Sequence, residues 1–218
     1  YIPKYGLVSS DEHASLLSSN YDLVSFLTTP ILLMKITDQS KKHTHATGFF
    51  WRSSKGRFLI SNYHVFSGVS PIDGSNVDEK SGYRPRRIVA FLPRLFAAPS
   101  GNGVSINRFE FHIDLFDNND EPQFLEIRDS MGQLTDISAI KIPDSVPDAQ
   151  YKFSPYLNEN DVFSKGLTHV GHDVFVTGYP FDTFVDPFPC IWKRGSIATE
   201  PLIKFDNKAC FLVDAITT

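Results

Sequence analysis

From residue 31 onward the chain is a succession of short apolar, β-branched or aromatic runs, each bounded by Gly, Pro, Asn or Asp. Runs of that length and texture predict strands rather than helices. They fall at 31–36, 46–53, 57–62, 87–92, 105–114, 123–128, 137–142, 173–178, 189–198 and 209–214. Only residues 9 to 28 read as helix. Ser9 or Ser10 can cap it, Asp11 and Glu12 suit its positive end, and Leu16, Leu17, Leu23 and Phe26 follow helical spacing up to a stop at Pro30. Two polar stretches punctuate the strands. Residues 67–86, with Gly68, Pro71, Gly74, Gly82 and Pro85, read as a surface excursion, and 143–166, with Pro143, Pro147 and Pro155, separates two strand-rich halves. The pattern thus predicts an all-β protein in three parts: a helical N-terminal extension over 1–30, a first unit over 31–145 and a second over 146–218.

Composition narrows the class. With 218 residues, 41% hydrophobic and 21% charged, the chain has the make-up of a folded globular protein and can bury a core. A net charge of -4 removes the electrostatic reason to expect nucleic acid or an anionic membrane as partner. No run approaches the roughly 18 apolar residues of a membrane span. Two cysteines, Cys190 and Cys210, are too few for a disulfide scaffold, which favours a cytoplasmic over a secreted home and buried free thiols over a bridge. The chain starts at Tyr1 rather than Met, so an upstream segment is expected.

Chemistry concentrates in two places. In the first, Ala46-Thr47-Gly48-Phe49-Phe50-Trp51 is followed by a turn at Lys55-Gly56 and by Leu59-Ile60-Ser61-Asn62-Tyr63-His64-Val65, which delivers a histidine at a strand end. Histidine suits a general base because it takes and returns a proton near neutrality. In the second, Gln133-Leu134-Thr135-Asp136 leads directly into the apolar run Ile137-Ser138-Ala139-Ile140. Asp114, Asp117 and Asp129 are rivals to Asp136, but none opens such a run. Both segments resemble the trypsin-like serine peptidases, whose first barrel carries a small-x-Gly-aromatic strand, a Thr-Asn-x-His-Val histidine segment and an Asp-Ile-Ala-Leu-Leu-Lys-Leu aspartate segment. Histidine precedes aspartate with strands between, as in that family. The wide separation is absorbed by the excursion at 67–86 and the loop at 115–122.

The second half continues the resemblance. Gly171-His172-Asp173-Val174-Phe175-Val176-Thr177-Gly178-Tyr179-Pro180 is similar to the strand opening the second barrel of bacterial-type members. Residues 190–198 and 209–215 are similar to the two strands before the serine loop. The resemblance therefore implies a double six-stranded antiparallel β-barrel, its second barrel incomplete, with the cleft between the barrels. It implies a serine endopeptidase acting on polypeptides, with His64 as base and Asp136 as its orienting acid. The nucleophile, in a Gly-x-Ser-Gly segment, is expected beyond Thr218, which would leave the 218-residue chain inactive alone. No cofactor or metal is implied, and a regulatory or activating protein partner is compatible with this class. The rival function is a non-catalytic trypsin-like fold that binds peptide or protein.

Other features have plainer readings. Cys190 lacks the neighbouring glycines that an oxyanion site needs, so it is a poor nucleophile candidate. Gly101-Asn102-Gly103 reads as a hairpin turn. His43 with His45, and His169 with His172, have metal-like spacing but no companion ligands. Arg84, Arg86, Arg87 and Arg94 read as a charged loop. Phe49, Phe50, Trp51, Phe175 and Phe211 are expected in the core.

Overall fold

Alternating apolar side chains can bury one face of a strand while the backbone pairs sideways, and that is how most of this chain is organised. The computed structural model describes residues 25, 27–34, 44–78, 82, 84–97, 104–148, 155–159, 168–179, 190–205 and 210–215. The strands are β1 (Thr28–Met34), β2 (Thr44–Ser53), β3 (Gly56–Ser61), β4 (Arg87–Ala97), β5 (Val104–Asp114), β6 (Phe124–Arg128), β7 (Leu134–Lys141), β8 (Tyr156–Leu157), β9 (Asp173–Gly178), β10 (Ile191–Ile197) and β11 (Val213–Asp214), with one short helix α1 (Tyr63–Ser67). The protein is predominantly β, and its strand pairs are antiparallel except for β2 with β8.

β1 to β8 form one sheet in the order β5-β4-β1-β2-β3-β7-β6, with β8 paired to β2. β2 is long enough to serve three partners. Its first half pairs with β1 from Thr44 to Phe49, and its second half lies between β3 and β8, where Phe50 faces Leu59 and Tyr156. The path is open, ending at β5 and β6, yet side chains from both ends enter one core. Ile31, Phe50, Leu59, Phe66, Ile88, Phe111, Phe124 and Ile140 share that cluster, so the sheet curls round it. A hydrogen bond from Gln123 N–H to Leu115 C=O and the bridge between Phe116 and Pro122 connect the chain after β5 to the start of β6. Gly48 is needed inside the curl: a Cβ there would lie 2.7 Å from Ile31 Cδ1 and 2.9 Å from the Ile60 carbonyl oxygen.

A second sheet, β11-β10-β9, holds the later strands. It is joined to the first by buried polar contacts. Arg108 of β5 donates to the Tyr179 hydroxyl at 2.8 Å, and Tyr179 N–H donates to Thr47 Oγ1 at 3.0 Å.

Each predicted strand corresponds to an observed one, with shifts that have local causes. Proline does not end a helix at 30. It lies inside β1, beside Thr47 of β2, and tolerates the strand because β4 pairing begins only at Ile31. Buried Thr29 covers the gap: its hydroxyl donates to Phe91 C=O at 3.2 Å and accepts from Phe91 N–H at 3.0 Å. The rest of the predicted helix, 9–24, lies outside the described residues. β4 runs past 92 to Ala97, and its ladder with β5 reaches Ala97 and Val104, the ends that the Gly101-Asn102-Gly103 turn would join; the turn itself lies outside the described residues. The last strand shrinks to Val213–Asp214. Phe50 is fully buried as expected, but Phe175 and Phe211 remain 55% and 41% exposed, Phe175 on the narrow second sheet and Phe211 before the start of β11.

Tyr179 generates a pH dependence. Burial pushes its hydroxyl above the ordinary value near 10, against the opposing pull of Arg108. A folded value above the unfolded one means full stability below about pH 10 and loss as pH climbs toward the folded value. Urea midpoints measured from about pH 8 to 11 should fall at the alkaline end, and Tyr179→Phe should flatten that fall while lowering the midpoint at neutral pH.

Candidate active site

His64 stands where the chain leaves β3. Ser61 is the last residue paired to β7, opposite Ser138, and the backbone then turns into α1. The helix is short because its ends are fixed. Asn62 is the N-cap residue and Gly68, in the left-handed region at φ 74°, closes the C-terminus with its N–H on the His64 carbonyl at 2.9 Å. Glycine is required there on two counts, since a Cβ would also approach Pro85 Cδ to 2.8 Å. Tyr63, Val65 and Phe66 are buried, and Tyr63 and Phe66 pack on Phe124 with ring centroids 6.0 Å apart in both pairs. His64 lies off that apolar face, with 37% of its side chain exposed.

Asp136 comes from β7, two residues before Ser138, so it lies just past the end of the β3 ladder. The sequence places it directly before a strand, whereas it is within one, because pairing with β6 extends β7 back to Leu134. Likewise His64 is in the first helical turn after the strand rather than at the strand end. Across this corner His64 Nδ1 is 2.9 Å from both carboxylate oxygens. The main-chain N–H of His64 donates to Oδ1 at 3.1 Å, and Asn62 Nδ2 donates to Oδ2 at 3.1 Å and to the Asp136 carbonyl at 3.2 Å. The nitrogen facing a carboxylate carries the hydrogen, so Nε2 is left with its lone pair, the form of a general base.

The rival aspartates are engaged elsewhere. Asp114 pairs with Arg87 at 2.6 Å, while Asp117 and Asp129 each accept N–H groups of their own turns. The arginines are tied down too: Arg86 pairs with Asp120 and Arg84 bonds Asn76, and the Arg94 side chain lies outside the described residues. The rings of His169 and His172 meet edge to face at 5.2 Å, and no group of three metal-binding side chains occurs among the described residues. His43 and the His45 side chain lie outside them. Cys190 is buried and Cys210 is exposed, both as free thiols, which corrects the expectation that both are buried. β11 ends the ladder at Val213 opposite Ile197, so Cys210 does not face Cys190 across it.

Sequence reasoning missed one residue at this corner. Asn62 appeared only as part of the histidine segment, although an asparagine next to a predicted strand end and two before a histidine is a signal that its amide could serve the pair. Comparison with known proteins adds no family: no protein-family model and no curated protein matches the chain.

The geometry predicts a tautomer. Long-range ¹H–¹⁵N spectra of the neutral ring should show His64 protonated at Nδ1 and bare at Nε2, and Asp136→Ala should move it to the mixture typical of solvated histidine. A wild-type ring protonated at Nε2 would contradict the observed pairing.

Proposed function

We propose that this chain carries the base and the orienting acid of a trypsin-like serine endopeptidase. The observation that carries the reading is the 2.9 Å approach of His64 Nδ1 to both oxygens of Asp136, in segments that resemble the family's histidine and aspartate motifs in the family's order. On this reading the curled sheet is the first barrel and the β9–β11 sheet is part of the second. A serine in a Gly-x-Ser-Gly segment following this sequence supplies the nucleophile. Its hydroxyl proton passes to His64 Nε2 as Oγ attacks the peptide carbonyl, and His64 then returns the proton to the leaving amine. Water repeats the two transfers to release the acyl group. Asp136 holds the ring in register and stabilises the imidazolium formed between transfers. The substrate is a polypeptide, and no cofactor takes part.

One observation favours a second reading. Val176 and Ile191, on the same face of the second sheet, are each at least half exposed, as in a surface that binds another polypeptide without chemistry. Covalent labelling separates the two. A fluorophosphonate probe should leave the 218-residue chain unmodified, label the serine of a chain extended through the following reading frame, and fail again in the extended His64→Ala variant. Labelling of the short chain would overturn the assignment, and an extended chain that contains the serine yet neither labels nor cleaves would point to the binding module or to a zymogen awaiting its activator.

A further inference from the structure

We propose that Asn62 is a positioning residue that holds the Asp136 carboxylate in the plane His64 requires. The inference rests on the reading of His64 and Asp136 as a catalytic pair, and it deepens that reading by naming what orients the acid.

Asn62 occupies the N-cap position of α1 with extended backbone, φ -67° and ψ 146°. An asparagine there ordinarily turns its side chain back onto a free N–H of the first helical turn. Here no such bond is made. The amide is directed across the corner instead, and it grips Asp136 twice, at the main-chain carbonyl and at Oδ2. Oδ1 meanwhile accepts the His64 N–H. Each carboxylate oxygen therefore has its own donor besides the ring, and these two donors come from neighbouring positions on the same stretch of backbone. Rotation of the carboxylate would break at least one of them. With only the His64 N–H remaining, the carboxylate could turn about its Cβ–Cγ bond, and a carboxylate that turns no longer holds one tautomer or one ring orientation.

Capping and positioning make opposite demands on residue 62. As caps, Asn and Asp are about equal and both far exceed Ala. As a donor to a carboxylate, Asp is worse than Ala, because it replaces the amide N–H with a second negative oxygen. The test uses the 218-residue chain with Asn62→Ala and Asn62→Asp. It reads thermal stability together with the rate at which the His64 Nδ1 hydrogen exchanges with water in ¹⁵N spectra. Positioning predicts exchange faster by about tenfold in Asn62→Ala, the scale of one hydrogen bond to a charged group, and at least as fast in Asn62→Asp even if the helix melts no earlier. Wild-type exchange in Asn62→Asp, with loss of both signal and stability only in Asn62→Ala, would assign a cap and overturn the proposal. In the extended chain, positioning further predicts that Asn62→Asp lowers kcat with KM little changed. A failure of labelling in the extended wild type would sink the peptidase reading separately, since the exchange result in the short chain does not depend on the serine.

Discussion

The burial of Tyr63, Val65 and Phe66 is what the candidate site depends on. Three of the five residues of α1 are committed to the core against Phe124 and its neighbours, so the helix has one seat on the sheet, and His64 is set on the side that meets β7. Magnitudes decide which interaction leads. Burying a phenylalanine of this kind contributes roughly 2–3 kcal/mol, while a hydrogen-bonded pair with both side chains more than a third exposed contributes about 1 kcal/mol or less. Packing places the histidine, and the pair with Asp136 then selects its tautomer. The same ordering explains why Gly48 and Gly68 matter: each lets another strand or loop close on the core at a distance that no Cβ would permit.

The register of β3 against β7 supplies the other half of the site. Ser61 opposite Ser138 ends the ladder two residues from Asp136, and β3 turns away at that point, which leaves the aspartate, on the side away from β6, beside the His64 N–H of the helix. A slip of β7 by one residue would turn Asp136 to the opposite face and would also expose Ile140, which is almost fully buried. The hydrophobic pattern that folds the sheet therefore protects the geometry of the pair.

Much of this was legible in the sequence. Short apolar, β-branched or aromatic runs with turn residues at their ends located the strands, and a histidine and an aspartate flanking apolar runs identified the pair. Other features depended on contacts between distant residues. Pro30 looked like a helix stop because a proline inside a strand is acceptable only where a neighbouring strand leaves its edge unpaired, a fact of topology. β8 is two residues long and takes the edge of β2 beyond the start of β1, so no local period announces it. α1 is a single turn held by tertiary packing, too short for helical periodicity. Phe175 has a core-like sequence on a sheet that covers it incompletely, and Phe211 lies in a predicted strand that begins only at Val213. Asn62 could be recognised as a helix cap or as a partner of Asp136 only once its side-chain direction was known.

On the proposed reading His64 and Asp136 act as one unit. The measurement is a double-mutant cycle on the proposed peptide hydrolysis, in the chain extended through the proposed serine, with His64→Ala, Asp136→Asn and the double variant compared by kcat. Acting as one unit, the pair gives a loss of about 10⁴-fold for Asp136→Asn and a double variant hardly slower than His64→Ala alone, because the aspartate acts only through the ring. Losses that multiply, or an Asp136→Asn variant as fast as wild type, would contradict it.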